Sequence, residues 1–310
     1  MRIVFFGSPA SALPSLKKLL EANHTIEFII TQPDKPSGRG KKLSPPPVKK
    51  IALDLNIPVY QPEKIRKDAV ALEKIKKIQP DLNVVVAYGQ IIPSSIIYFP
   101  KYNSINVHFS LLPKYRGASP VQWAILNGER KTGITIFELN EKMDEGDILT
   151  QEEIEILPDE GAAELEARLA QKGAELLIKT IAKIDEITLR KQDHSIATYV
   201  PLIKKEDGRI DWIKDALHVE RQVRAFTPWP SVYAYLGEKR VKIHKGRKTK
   251  NKIEPPSPGE ILGIKKEGIE VCCGEGTIFL IESLQPENRN KMDAYAFSLG
   301  AKIRPGDRFS

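Results

Sequence analysis

Asn106 and His108 stand one residue apart in the segment Ser104-Ile105-Asn106-Val107-His108. In an extended chain, side chains at that spacing share a face. An amide beside an imidazole suits acyl chemistry. The amide can donate to a carbonyl oxygen as it turns negative, and the imidazole can move protons near neutral pH. The chain then runs through Ser110-Leu111-Leu112-Pro113-Lys114-Tyr115-Arg116-Gly117, a loop stiffened by Pro113 and closed by Gly117. Further on, Met143-Asp144-Glu145-Gly146-Asp147 puts carboxylates in a glycine-containing turn. Alone, an Asn-x-His pair is weak evidence, because most histidines are surface or satisfied core groups. An Asp beside Gly is equally at home as a plain turn former.

Positioning such a pair requires a rigid strand end. The first half of the chain alternates strand and helix patterns. Apolar strands are expected at Arg2 to Phe6, Thr25 to Ile30, Pro58 to Tyr60, Leu82 to Ala87 and Ser104 to His108. Helices are expected near Ala10 to Ala22, Val48 to Leu55 and Ala69 to Ile78. This alternation argues for a parallel sheet with helices on both faces, whose ligands sit outside the carboxyl ends of the strands. Two antiparallel strands, Thr132 to Leu139 and Ile148 to Ile156, then flank Asp144. The apolar positions Leu165, Leu169, Ala174, Leu177 and Ile181 fit one face of a long helix. Residues near 187 to 205 lack periodicity. Beyond them, short strands broken by Gly and Pro suggest a small β domain. The boundaries follow as 1–189, a linker at 190–207, and 208–310.

Composition narrows the function classes. A chain of 310 residues can bury a substantial core and suggests two domains. No window approaches the ~20 apolar residues of a membrane helix, so no membrane role is expected. The only cysteines, Cys272 and Cys273, are adjacent, which argues against a disulfide framework and fits a reducing cytoplasm. A net charge of +8 makes a polyanionic partner plausible. The run Lys239 to Lys252 is rich in Lys and Arg and holds no acid. Such runs are usually solvated faces. Dinucleotide fingerprints, P-loops and metal-ligand spacings are absent, and no metal is expected.

Asn-x-His followed by Ser-Leu-Leu-Pro-x-Tyr-Arg-Gly resembles the active-site signature of the formyltransferases that use 10-formyltetrahydrofolate. The likeness extends from Phe6-Gly7-Ser8-Pro9 to Arg304-Pro305-Gly306-Asp307-Arg308-Phe309. It implies a Rossmann-like α/β formyltransferase domain with a mostly parallel sheet, followed by a small OB-like β-barrel. It implies Asn106, His108 and Asp144 as the reacting group. Lys142 and Glu145 stand where the family often has Gly and Thr. The segment Val84 to Pro93 matches a turn whose backbone holds the pteridine ring, which nominates Val86, Ala87, Tyr88, Gly89 and Ile91. Ser110, Leu111, Leu112 and Pro113 complete the folate side. Thr31-Gln32-Pro33-Asp34-Lys35-Pro36-Ser37-Gly38-Arg39-Gly40-Lys41-Lys42 resembles the insertion with which tRNA-acting members contact the acceptor stem. Arg39, Lys41 and Lys42 are therefore expected on tRNA, with Lys242, Lys245, Arg247 and Lys248 as a second footprint.

The implied reaction is transfer of the formyl group from 10-formyltetrahydrofolate to the α-amine of methionine on initiator methionyl-tRNA, by a cytoplasmic monomer. Formylation of an amino sugar or small nucleotide, or folate hydrolysis on the same fold, is the rival activity. A non-catalytic RNA-binding protein on the same fold is the rival class. Keeping the basic glycine loop and the basic run together speaks against the first. The intact Asn106, His108 and Asp144 speak against the second.

Overall fold

The computed structural model describes residues 1–37 and 42–310. In chain order, β1 (Arg2–Gly7) leads through a 3-10 turn into α1 (Leu13–Glu21), and β2 (Thr25–Ile30) follows. A short hairpin comes next, β3 (Lys35–Ser37) with β4 (Lys42–Ser44). Then come α2 (Pro47–Asp54), β5 (Val59–Tyr60), α3 (Ala69–Ile78), β6 (Leu82–Val86), α4 (Ser94–Ile97) and β7 (Ser104–His108). After β8 (Arg116–Gly117) and α5 (Pro120–Leu126) the chain forms β9 (Lys131–Glu138), β10 (Ile148–Glu155) and α6 (Ala162–Ala182).

Among the described residues these strands build a seven-stranded sheet in the order β10-β9-β7-β6-β1-β2-β5. The pairs from β5 across to β7 are parallel, and β9 and β10 add antiparallel strands at one edge. Why β6 is central can be read from its residues. Leu82, Asn83, Val84, Val85 and Val86 are all buried, the pattern of a strand covered on both faces. Asn83 is tolerated there because its amide donates to Ile96 O at 3.0 Å and Ser104 Oγ at 2.9 Å. Asp68 caps α3 by accepting from the Ala71 N–H, and left-handed Gln79 ends it. The expected apolar stripe of α6 is buried, with Leu165, Leu169, Ala174 and Leu177 at 0% exposure.

The topology sets the site. The chain leaves β1 toward β2 and β5 on one side, then returns to β6 and β7 on the other. Register aligns Gly7 with Val86 and Val85 with Asn106. The carboxyl ends of β1, β6 and β7 therefore lie side by side where the strand order reverses, the place at which such sheets bind ligands.

The chain divides into two compact units. The first comprises Met1–Pro120, Lys131–Glu155 and Glu166–Val200. Residues 190–200, read from sequence as part of a linker, contribute β11 (Tyr199–Val200), which pairs in parallel with β8. The second unit holds Val121–Arg130, Ile156–Leu165 and Pro201–Ser310. It carries α7 (Ala216–Phe226), β12 (Val232–Leu236), β13 (Lys239–Lys252), β14 (Ile261–Lys265), β15 (Gly268–Cys272), β16 (Thr277–Pro286), β17 (Met292–Asp293) and α8 (Ala294–Ala301). Its strands form an antiparallel sheet ordered β12-β13-β16-β15-β14, with β17 on β16. The ladder itself is not a closed barrel. Single bridges from the last residues, Leu236 to Phe309 and Glu260 to Arg308, tie both sheet edges to one segment. The unit is thus a β domain with α7 and α8 packed on it. Cys272 and Cys273 are free and buried, and burial pushes the Cys273 thiol up to about 12.

Candidate active site

β7 brings Asn106 and His108 to the carboxyl edge of the sheet, Asn106 half-buried and His108 buried. The His108 ring is held on two sides. Its Nε2 lies 2.9 Å from the backbone oxygen of Tyr115. A carbonyl can only accept, so Nε2 carries the proton and Nδ1 is the free nitrogen of the neutral ring. The ring also meets Phe137 edge-on, centroids 6.3 Å apart. Nδ1 faces Asp144 Oδ2 at 3.9 Å. That is charge-pair distance, longer than a direct hydrogen bond. Asp144 sits on the β9–β10 turn with φ 54°, and its Oδ2 accepts the Gly117 N–H at 2.8 Å. Sequence positions 108 and 144 are therefore brought together, with Asn106 two positions before His108 on the same strand.

The Ser110 to Pro113 loop is fixed from β9 and β10. Thr135 Oγ1 donates to Ser110 O at 2.7 Å and accepts the Leu112 N–H at 3.0 Å. Gln151 Nε2 donates to Leu112 O at 2.8 Å. Ser110 and Leu112 are buried, while Leu111 and Pro113 are half-buried. Thr135 and Gln151 drew no attention in the sequence, because both look like ordinary strand residues. Their pairing across β9 and β10 reveals the task.

The turn after β6 adjoins this group. Val86 is buried, Ala87, Gly89 and Ile91 are exposed, and Tyr88 points inward against Phe6 with ring centroids 5.5 Å apart. Only the backbone of Tyr88 is therefore offered outward. Its carbonyl accepts from Gln32 Nε2 at 3.0 Å, and burial drives its phenol well above the ordinary range. Gly89 has φ 79°, and a Cβ there would meet only Gln32 Nε2, at 3.5 Å. Glycine is demanded by conformation, and the ledge beside it is open. An exposed backbone turn with an open ledge fits a flat heterocycle read through main-chain donors and acceptors.

Glu145, one of the two residues out of family pattern, has a local explanation. Arg116 is fully buried, and a buried guanidinium needs partners. Its Nη1 donates to Tyr199 Oη at 2.7 Å and lies 3.5 Å from Glu145 Oε1. Its remaining donors reach Gln192 and His194. The Tyr199 hydroxyl, then Arg116, Lys142 and His194, hold the Glu145 carboxyl below its usual range. Gln192 lies within the span of the family likeness, but nothing in the sequence assigned it a task.

The residues expected on tRNA belong to two segments of the chain. Arg39 and Lys41 lie outside the described residues. Lys42 opens β4 and is exposed. On β13, Lys242 is half-buried and Lys245, Arg247 and Lys248 are exposed. Lys245 and Arg247 both pair with Glu282, at 3.1 and 2.9 Å. Among the described residues, no group of three His, Cys, Asp or Glu side chains could hold a metal ion, and no helix is long and apolar enough to cross a membrane.

A His-Asp pair with Asn106 on the same strand, at the carboxyl end of a mostly parallel α/β sheet and near an exposed backbone turn, is an arrangement compatible with acyl-group transfer. The formyl transferase family matches residues 1–181, and its C-terminal domain matches residues 202–302. The chain belongs to the formyl transferase family. Methionyl-tRNA formyltransferase of Geobacter sulfurreducens is 44% identical over 310 residues, covering 99% of this chain and 96% of that protein. The protein of that name from Sulfurihydrogenibium sp. is 46% identical over the full length of both chains. Among solved structures, the sugar 3N-formyl transferase WlaRD, determined with dTDP and 5-N-formyl-THF, superposes with TM-score 0.67 at 22% identity, covering 94% of this chain and 99% of that one. HypX of Aquifex aeolicus in complex with tetrahydrofolic acid gives 0.64 at 18% identity, covering 96% of this chain. The chain spans about half of HypX, 47%. These two likenesses speak to fold.

Proposed function

We propose that this chain transfers a formyl group from 10-formyltetrahydrofolate to the α-amine of methionine on initiator methionyl-tRNA. The observation that carries the reading is the approach of His108 Nδ1 to Asp144 Oδ2 at 3.9 Å, with Asn106 on the same strand as His108, in a chain 44% identical along its length to a methionyl-tRNA formyltransferase.

When bound, the folate supplies an activated formyl carbon. Every other task falls to the chain. The backbone turn from Val86 to Ile91, with the loop Ser110-Leu111-Leu112-Pro113, holds and orients the donor. Asn106 donates its amide N–H to the formyl oxygen as negative charge develops there. His108 has its Nε2–H committed to Tyr115 O, so proton movement is confined to Nδ1. That nitrogen accepts the proton of the attacking amine and can return it to the leaving nitrogen. Asp144 meets the resulting imidazolium charge from across the gap. Gly117 N–H holds Asp144 in that role. Arg39, Lys41, Lys42 and the β13 cations contact tRNA phosphates, which orient the acceptor. The protein works as a monomer in the cytoplasm.

The test is formyl transfer from 10-formyltetrahydrofolate to methionyl initiator tRNA, run beside unacylated tRNA and sugar-nucleotide acceptors. Transfer to the methionyl-tRNA alone is expected. Preferential transfer to an amino-sugar nucleotide, or to no acceptor, would refute the reading.

A further inference from the structure

Asp144 faces His108 only while its turn keeps a particular shape. Its φ of 54° lies in the left-handed region, which Asp tolerates better than most residues with a side chain. The turn is also held from far along the chain. Gln192 is buried, and its Nε2 donates to the backbone oxygens of Asp144 at 2.9 Å and Gly146 at 2.7 Å. One amide therefore holds the turn on both sides of Glu145. The other end of the same amide is also committed. Oε1 accepts from Arg116 Nε at 3.1 Å and Nη2 at 2.8 Å. Arg116 has no acceptor and the carbonyls have no donor, so Gln192 can be oriented only one way. A neutral amide is the one side-chain group of this length that serves a guanidinium with one atom and two carbonyl oxygens with the other.

We propose that Gln192 is a positioning residue for the reaction. Braced by Arg116, it sets the backbone of the Asp144 turn so that the carboxylate stays on the Gly117 N–H and opposite His108. This rests on the reading of Asp144 as part of the reacting group. Both ends of its amide are committed to Arg116 and to the turn, so its loss is expected to act on turnover and not on binding. A displacement of about 1 Å in a reacting group can cost on the order of 10²-fold in rate.

Two variants test it. Gln192→Glu keeps an acceptor for Arg116 but turns a second acceptor toward two carbonyl oxygens. Gln192→Met keeps the length and removes both functions. Both should lower kcat by about 10²-fold and leave KM for folate and tRNA unchanged. A second readout needs no substrate. The Gly117 amide, bonded to the Asp144 carboxylate, should exchange its hydrogen at least about tenfold faster, while the amides of β1 and β6 keep their protection. Asp144→Asn is measured alongside. Normal turnover in Asp144→Asn would sink the reading of the reacting group itself. Slow turnover in Asp144→Asn, with native kcat or native Gly117 exchange in both Gln192 variants, would overturn the positioning proposal alone. Protection lost throughout β1 and β6 in both variants would make Gln192 a stability residue and would equally overturn it.

Discussion

His108 has one ring nitrogen bonded to the Tyr115 carbonyl and one facing Asp144, and the proposed role of the second predicts how its loss behaves. In His108→Ala, kcat should fall by about 10²- to 10⁴-fold, the usual worth of a general acid–base group. Binding of tRNA, measured by filter retention, should be near native, and near-native turnover in folded protein would remove His108 from the reacting group. Glu145 makes a prediction of a different kind. Its carboxyl is held below the ordinary 4.5, first by the Tyr199 hydroxyl and then by Arg116, Lys142 and His194. A depressed folded-state value means stability present above the unfolded value and lost as pH falls through the folded one. Urea unfolding should therefore show Glu145→Gln less stable than the native chain near pH 7, with the gap closing below about 4.5. A gap that is constant with pH would mean that the ionised carboxylate contributes nothing.

Single strands decide what neighbouring residues can do. β13 carries Lys242, Lys245, Arg247 and Lys248, yet Glu282 on β16 holds two of these cations. Charge counted along the strand thus overstates what a polyanion meets. Neutralising all four should weaken tRNA binding and flatten its salt dependence, each lost phosphate contact lowering the slope of log K on log salt by roughly 0.7 to 0.9. Glu282→Gln should do the reverse, tightening binding and steepening the slope. Titration of fluorescent tRNA at several salt concentrations reads both, and an unchanged slope in the quadruple variant would make the run a solvated face. Initiator and elongator tRNA should respond alike, since phosphate contacts orient without reading sequence.

At the scale of the molecule, discrimination between tRNAs is expected from the basic residues between β3 and β4 in the sequence. Arg39→Ala should raise KM for tRNA and leave folate binding nearly unchanged, because Arg39 follows β2 in the chain while the turn proposed to hold folate follows β6. Steady-state kinetics with each substrate varied in turn checks this, and an equal effect on both would argue against an RNA role. Much of this protein was legible before any coordinates. Residues 82–86 are uniformly apolar but for one amide, so a central strand was the only economical reading, and β2, α3 and β7 have the bounds that periodicity assigns. Asn106 and His108 share a face because strand geometry is local. What local pattern could not supply was anything that depends on pairing. The antiparallel edge that puts Thr135 against His108, the bond of Gly117 to Asp144, and the grip of Gln192 on the same turn join residues 27 or more positions apart. Residues 190–200 have no periodicity because they are held by Arg116 and β8 and have no repeating face of their own. Local sequence determines which segments are strands and what chemistry they carry. Only folding, by bringing a buried guanidinium, an amide and two carbonyls to hydrogen-bond distance, decided where the carboxylate of Asp144 would point.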